Sequence, residues 1–167
     1  VVDYQKDFVD GALGFENAKK LDTYISESVK EYHNNNDQVI FLFDTHQENY
    51  LKTQEGKYLP IKHAIEGTDG WKYYGETGRQ MRPGDIQFYK PTFGSLELGN
   101  YLKGKKYSSI TFMGIVSNIC VISNAIIAKS AVPEIPIYID TKGISSFDLD
   151  LQQKALDILK NLQFLIK

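Results

Sequence analysis

Short apolar, β-prone runs alternate with segments of helical spacing along this chain, and that alternation restricts its fold more than any other feature. Gln38-Val-Ile-Phe-Leu-Phe-Asp44 is the clearest run: continuous in apolar residues and bounded by turn formers, it reads as a strand buried on both faces. Comparable runs lie at 1–3, 85–89, 109–113, 133–140 and 164–167. Residues 16–32 instead repeat apolar side chains at three and four (Ala18, Leu21, Ile25, Val29). Helices are likewise expected over 95–103, 116–129 and 148–162, the last with Leu151, Ala155, Ile158, Leu159 and Leu162 inward. Alternation of this kind, with right-handed crossovers, predicts a three-layer α/β/α fold, a doubly wound, Rossmann-like parallel sheet. At 167 residues the expectation is one domain over 1–167.

Residues 45–84 interrupt the pattern. Their periodicity is weak, yet they hold Trp71, Tyr73, Tyr74 and two of the three histidines, so they are expected to fold as a lid. The 19 basic and 21 acidic residues are scattered, without the basic face a phosphate backbone requires, which argues against nucleic acid. Neither an 18-residue apolar run nor a signal-peptide pattern is present, so no membrane association is expected. A single cysteine forms no internal disulfide, and a reducing, cytoplasmic setting is the default expectation.

That cysteine anchors the functional reading. Thr111-Phe-Met-Gly-Ile-Val-Ser-Asn-Ile-Cys120 reads as a strand, a tight turn at Gly114 and the first turns of a helix. A thiol there lies among unpaired N–H groups at the positive end of a helix dipole, which favours a thiolate nucleophile. Two further strands end in titratable groups, Asp3 and Lys90, and ligands of open parallel sheets bind at those ends. Singly, each residue has a plain structural role available: a buried thiol, a turn cap, a solvated lysine. Jointly they make an acid, a cation and a nucleophile. Asp44 and His46, two apart at another strand end, project the same way, and His63 can return from the loop to complete a carboxylate and two imidazoles. His33 reads as a surface residue.

Asp3-Tyr-Gln-Lys-Asp-Phe8, Asp44-Thr-His46, Leu59-Pro-Ile-Lys-His63, Glu66-Gly-Thr-Asp-Gly70, Lys90-Pro-Thr-Phe93 and Gly114-Ile-Val-Ser-Asn-Ile-Cys120 together resemble the isochorismatase-like cysteine hydrolases, and among them the nicotinamidases. The resemblance implies a catalytic triad of Asp3, Lys90 and Cys120, and a cis Ile115–Val116 peptide that turns the Val116 and Cys120 amides toward an oxyanion. It also implies a divalent transition metal, zinc first with Mn²⁺ or Fe²⁺ as alternatives, on Asp44, His46 and His63. Some members add a glutamate, for which Glu55 is the candidate with Glu48 behind it. Phe8, Trp71 and Phe93 are the expected walls for a flat heteroaromatic amide, and members are often homo-oligomers.

The implied reaction is nicotinamide to nicotinate and ammonia through a thioester. Pro91-Thr-Phe93-Gly-Ser after the lysine and Ala64 after His63 depart from the usual nicotinamidase pattern. Two alternatives therefore stand beside it: a metal-free relative acting on another amide or carbamoyl compound, and a non-catalytic α/β interaction domain.

Overall fold

The structure, a computed structural model, describes residues 1–167. Five strands form in chain order: β1 (Ile40–Asp44), β2 (Ile86–Lys90), β3 (Ile110–Ile115), β4 (Ile137–Ser145) and β5 (Leu165–Ile166). All pairings are parallel, β1 with β2 and β3 with β4 and β5. Val2 joins the two sets, bridging Leu42 on one side and Gly114 on the other. The spatial order is thus β2, β1, the Val2 segment, β3, β4, β5, and the chain reverses direction of travel between the Val2 segment and β3. Gly114 allows that close seam: its φ is +120°, and a Cβ there would lie 2.0 Å from the Val2 carbonyl oxygen.

Alternation along the strands splits the core in two. Leu42, Phe112 and Ile139 face one apolar cluster with Leu98, Ala125 and Leu159, while Phe41, Phe43, Met113 and Ile115 face the other with Ile25 and Val29. The doubly wound three-layer fold expected from the alternation is the one observed. The helices are α1 (Lys6–Val9), α2 (Glu16–Lys19), α3 (Asp22–Asn34), α4 (Gln54–Tyr58), α5 (Gly75–Arg79), α6 (Leu96–Leu102), α7 (Ile122–Ala131) and α8 (Leu149–Asn161). None is long and apolar enough to cross a membrane.

Local departures from the sequence reading have identifiable causes. The helix expected over 16–32 is broken into α2 and α3, because the Ala18 carbonyl accepts from both Leu21 N–H and the buried Tyr4 hydroxyl (2.6 Å). The strand expected over 133–140 begins only at Ile137, after two prolines without N–H groups, and runs on to Ser145 through a bulge. Phe112 pairs with Ile139 and Gly114 with Ile144, so a two-residue step on β3 matches a five-residue step on β4. On α8 only Ala155 and Leu159 are buried, and Leu151, Ile158 and Leu162 face solvent. His33 is not at the surface: its ring is 6% exposed, with Nε2 2.7 Å from Asp85 Oδ1.

Candidate active site

Three strand ends and one turn converge at the carboxyl edge of the sheet. Asp3 closes the Val2 segment, Asp44 and Lys90 pair directly across β1 and β2, and Cys120 lies on a π-helical turn (Ser117–Val121) after β3. This edge, at the reversal of strand order, is where open α/β sheets place ligands. The Lys90 ammonium is 2.6 Å from Asp3 Oδ2, donates to Thr92 O (3.0 Å) and Asp44 Oδ1 (3.3 Å), and reaches Cys120 Sγ at 3.8 Å. Its three N–H bonds therefore face four acceptors, and the sulfur is the most distant.

Charge and burial set the protonation states. Burial works against the Lys90 cation, but Asp3, Cys120 and Asp44 outweigh it and raise its pKa, so it remains an ammonium. Burial raises Asp3 to about 6, with Lys90 opposing. The Asp3–Lys90 contact is close but off the hydrogen-bond direction, and neither Asp3 oxygen has a directed partner, so the carboxylate is held by charge and is open to a proton. Burial also pushes the Cys120 thiol well above its ordinary value, against the pull of Lys90. This corrects the thiolate expected from helix position: desolvation outweighs the dipole and favours a thiol at Cys120, beside the Asp3 carboxyl. The Ile115–Val116 peptide is cis, and the Val116 N–H has no backbone or side-chain acceptor.

A second cluster adjoins the first. Ligand atoms of Asp44, His46, Glu55 and His63 all lie within 4.8 Å of one another. His46 Nε2 is 2.9 Å from Asp44 Oδ2 and 3.5 Å from Glu55 Oε1, and His63 Nε2 is 3.6 and 3.8 Å from the same oxygens. His63 Nδ1 sits 2.7 Å from Ile61 O, which fixes the proton there and turns the Nε2 lone pair inward. His46 Nε2, despite its proximity to Asp44, lacks hydrogen-bond geometry and is a buried polar atom without a partner. Burial lowers the His46 pKa, but Asp44 and Glu55 override it and raise it to about 9. For Asp44, burial is likewise outweighed, by Lys90 and the two imidazoles, and the carboxyl is held well below its usual range. Two imidazoles and two carboxylates converging on one point, one nitrogen orphaned, fit a divalent transition metal.

Glu55 enters this cluster because Thr53 Oγ1 accepts from Gly56 N–H and caps α4. Glu48 stays outside, paired with Lys62 at the surface. A cavity of about 490 Å³ spans both clusters, and Asp3, Val116, Cys120, Asp44, Glu55 and His63 line it. Its remaining wall is apolar: Phe8, which meets the His63 ring edge to face at 5.4 Å, with Phe93, Leu59, Ile119 and others. Trp71 is not part of it. The indole stacks on Tyr89, packs against Phe43 and donates Nε1–H to Thr45 Oγ1, so it braces the lid against β1 and β2. Phe15 and Phe147, missed by the sequence reading, also line the cavity and pair edge to face at 6.2 Å, and no local pattern connects two residues so far apart in the chain. A separate apolar cavity of about 320 Å³ at the opposite end of β1 and β3 holds none of these groups.

A doubly wound α/β domain with titratable groups gathered in a cavity at its switch point has the form of a small-molecule enzyme. The chain belongs to the isochorismatase family of hydrolases: the isochorismatase domain model matches residues 1–165. Among solved structures it is similar to a pyrazinamidase/nicotinamidase from Streptococcus mutans (25% identity, TM-score 0.88, 99% of this chain and 97% of that one). It is also similar to a pyrazinamidase of Pyrococcus horikoshii in complex with zinc (20%, 0.86, 100% and 96%). An N-carbamoylsarcosine amidase from Thermoplasma acidophilum shares the fold at 16% identity (0.81, 99% and 92%).

Proposed function

We propose that this protein hydrolyses a small heteroaromatic carboxamide, nicotinamide to nicotinate and ammonia, with Cys120 as nucleophile. The observation that carries the reading is one buried ammonium, Lys90, within reach of a carboxylate, a thiol and a member of an adjoining imidazole–carboxylate cluster, all three of which line a single cavity. Asp3 takes the thiol proton as Cys120 Sγ attacks the carboxamide carbon, and Lys90 offsets the charge that develops on sulfur. The Val116 and Cys120 N–H groups receive the carbonyl oxygen. Asp3 then returns the proton to the leaving nitrogen, ammonia departs, and a water deprotonated by Asp3 opens the thioester to the acid and the free thiol.

Asp44, His46, Glu55 and His63 would hold a divalent metal, with zinc the best match to two nitrogen and two oxygen donors. When bound, it supplies a Lewis-acid contact for a ring nitrogen, which fixes the substrate's orientation. Phe8 and Phe93 flank the ring. Ammonia release from nicotinamide, pyrazinamide and N-carbamoyl amines, before and after chelation, tests the reading. Nicotinamide is expected to be the better substrate, with a loss of about tenfold or more on chelation that zinc restores. Preference for an N-carbamoyl amine, indifferent to chelator, would replace it with the metal-free alternative.

The pH profile follows from Asp3. Its pKa is raised to about 6, so the carboxylate that accepts the thiol proton is lost as pH falls through 6, while Cys120 remains a thiol through neutrality. The acid limb of kcat/KM is expected near pH 6, steepening to about tenfold per pH unit below it. A limb near the ordinary aspartate value would mean that burial does not raise Asp3, and a kcat/KM with no acid limb down to about pH 4 would remove Asp3 as the base.

A further inference from the structure

We propose that Asp7 is a positioning residue for the metal cluster, acting through the backbone of Ala64, which follows one of its histidines and hydrogen-bonds the other; the inference rests on the metal reading above. Asp7 does not line the cavity, yet three segments meet on it. Its N–H donates to Gly70 O (2.9 Å), its carbonyl accepts from Leu13 N–H (2.7 Å), and its Oδ2 accepts from Ala64 N–H (2.8 Å). Ala64 is fully buried and has φ +46°, a left-handed conformation that alanine disfavours and that needs support from its surroundings. Its N–H is held by Asp7, and its carbonyl accepts from His46 N–H at 2.9 Å. His63 is the residue immediately before it.

One residue, through the peptides on its two sides, thus fixes the backbone of both imidazole donors, and Asp7 holds its N–H. Gly70 completes the arrangement, since a Cβ there would lie 2.2 Å from Asp7 Oδ2. Phe8 follows Asp7 directly in the chain, so the clamp also sets the aromatic wall that meets His63. Losing an outer-shell partner of a metal ligand lowers affinity by roughly 10–100-fold.

An internal comparison separates this role from general stability. Asp22 is a similar clamp outside the cavity and the metal cluster: its carboxylate accepts from Glu76 N–H (2.8 Å) and Thr77 N–H (2.9 Å) beneath Gly75. The experiment is competition titration of zinc against a chromophoric chelator, on the full chain, for wild type, Asp7→Ala, Asp7→Asn, Gly70→Ala and Asp22→Ala, with thermal melts alongside. Asp7→Ala is expected to raise the zinc Kd about 10–100-fold. Asp7→Asn, which keeps an acceptor for Ala64, is expected to stay near wild type, and Asp22→Ala to lower the melting temperature without altering zinc affinity. If Asp7→Ala does not fold, Gly70→Ala displaces the carboxylate without removing it and should weaken zinc in the same direction. Wild-type protein without tight zinc overturns the metal reading and this inference with it. Tight wild-type binding that is unchanged in Asp7→Ala and Gly70→Ala, or weakened equally in Asp22→Ala, overturns the inference alone.

Discussion

Lys90→Met is expected to cost roughly 3–5 kcal/mol of folding stability, because it removes one partner of a buried ion cluster and leaves the rest in place. The Lys90 side chain is fully buried, with Asp3 Oδ2 at 2.6 Å and Asp44 Oδ1 at 3.3 Å. Methionine fills a similar volume but supplies no charge. Asp44 keeps its two imidazoles, whereas Asp3 is left facing no cation. The penalty should depend on pH in a definite direction. Asp3 already binds its proton more tightly folded than unfolded, its pKa raised to about 6 by burial with Lys90 pulling the other way. Without Lys90 it rises further, so the folded variant gains stability relative to wild type as pH falls and Asp3 becomes neutral. Denaturant melts at neutral pH and near pH 5 check this: the gap between wild type and variant should narrow in acid. An equal gap at both would mean that Lys90 does not lower the pKa of Asp3, and a negligible gap would mean that Lys90 is not the counter-ion of this cluster.

How much of this site can be read from the chain follows from where its residues sit. Asp3, Asp44 and Lys90 each end an apolar run, and in a parallel sheet run ends are neighbours, so the hydrophobic pattern alone brings them to one edge. Asp44 and His46 are legible for a similar reason, since alternate residues of a strand share a face. Glu55 and Trp71 lie in the lid, where direction is set by contacts that local pattern does not encode. A single cap at Thr53 turns Glu55 inward, and the Tyr89 ring, exposed on the edge strand, draws Trp71 away from the cavity. The ionisation of Cys120 was also beyond the pattern. Helix position and a nearby lysine both favour a thiolate, but the depth of burial that reverses them is a property of the packed fold. The β4 bulge belongs to the same group, because its extra residues are accommodated by packing against Met113 rather than by any turn signature.

Cys120→Ala separates chemistry from architecture in a way Lys90→Met does not. It deletes one sulfur atom from a buried position and leaves Asp3, Lys90 and the metal cluster paired as before, so the stability change should be about 1 kcal/mol or less. Turnover, by contrast, should fall by a factor on the order of 10⁴–10⁶, since loss of the attacking atom from a cooperating set removes nearly all its acceleration. Substrate affinity is expected to survive, because the proposed ring contacts are the Phe8 and Phe93 walls and the imidazole–carboxylate cluster, which the substitution leaves in place. The variant should therefore bind nicotinamide in calorimetry with a Kd near the parent's while releasing no measurable ammonia. Cys120→Ser should resemble it: an alcohol is a far weaker acid than a thiol, and an Asp3 of pKa about 6 is too weak a base to activate it. Ammonia release at the parent rate by the alanine variant would place the nucleophile elsewhere, and a variant that neither binds nor turns over would show that Cys120 shapes the cavity rather than attacking within it.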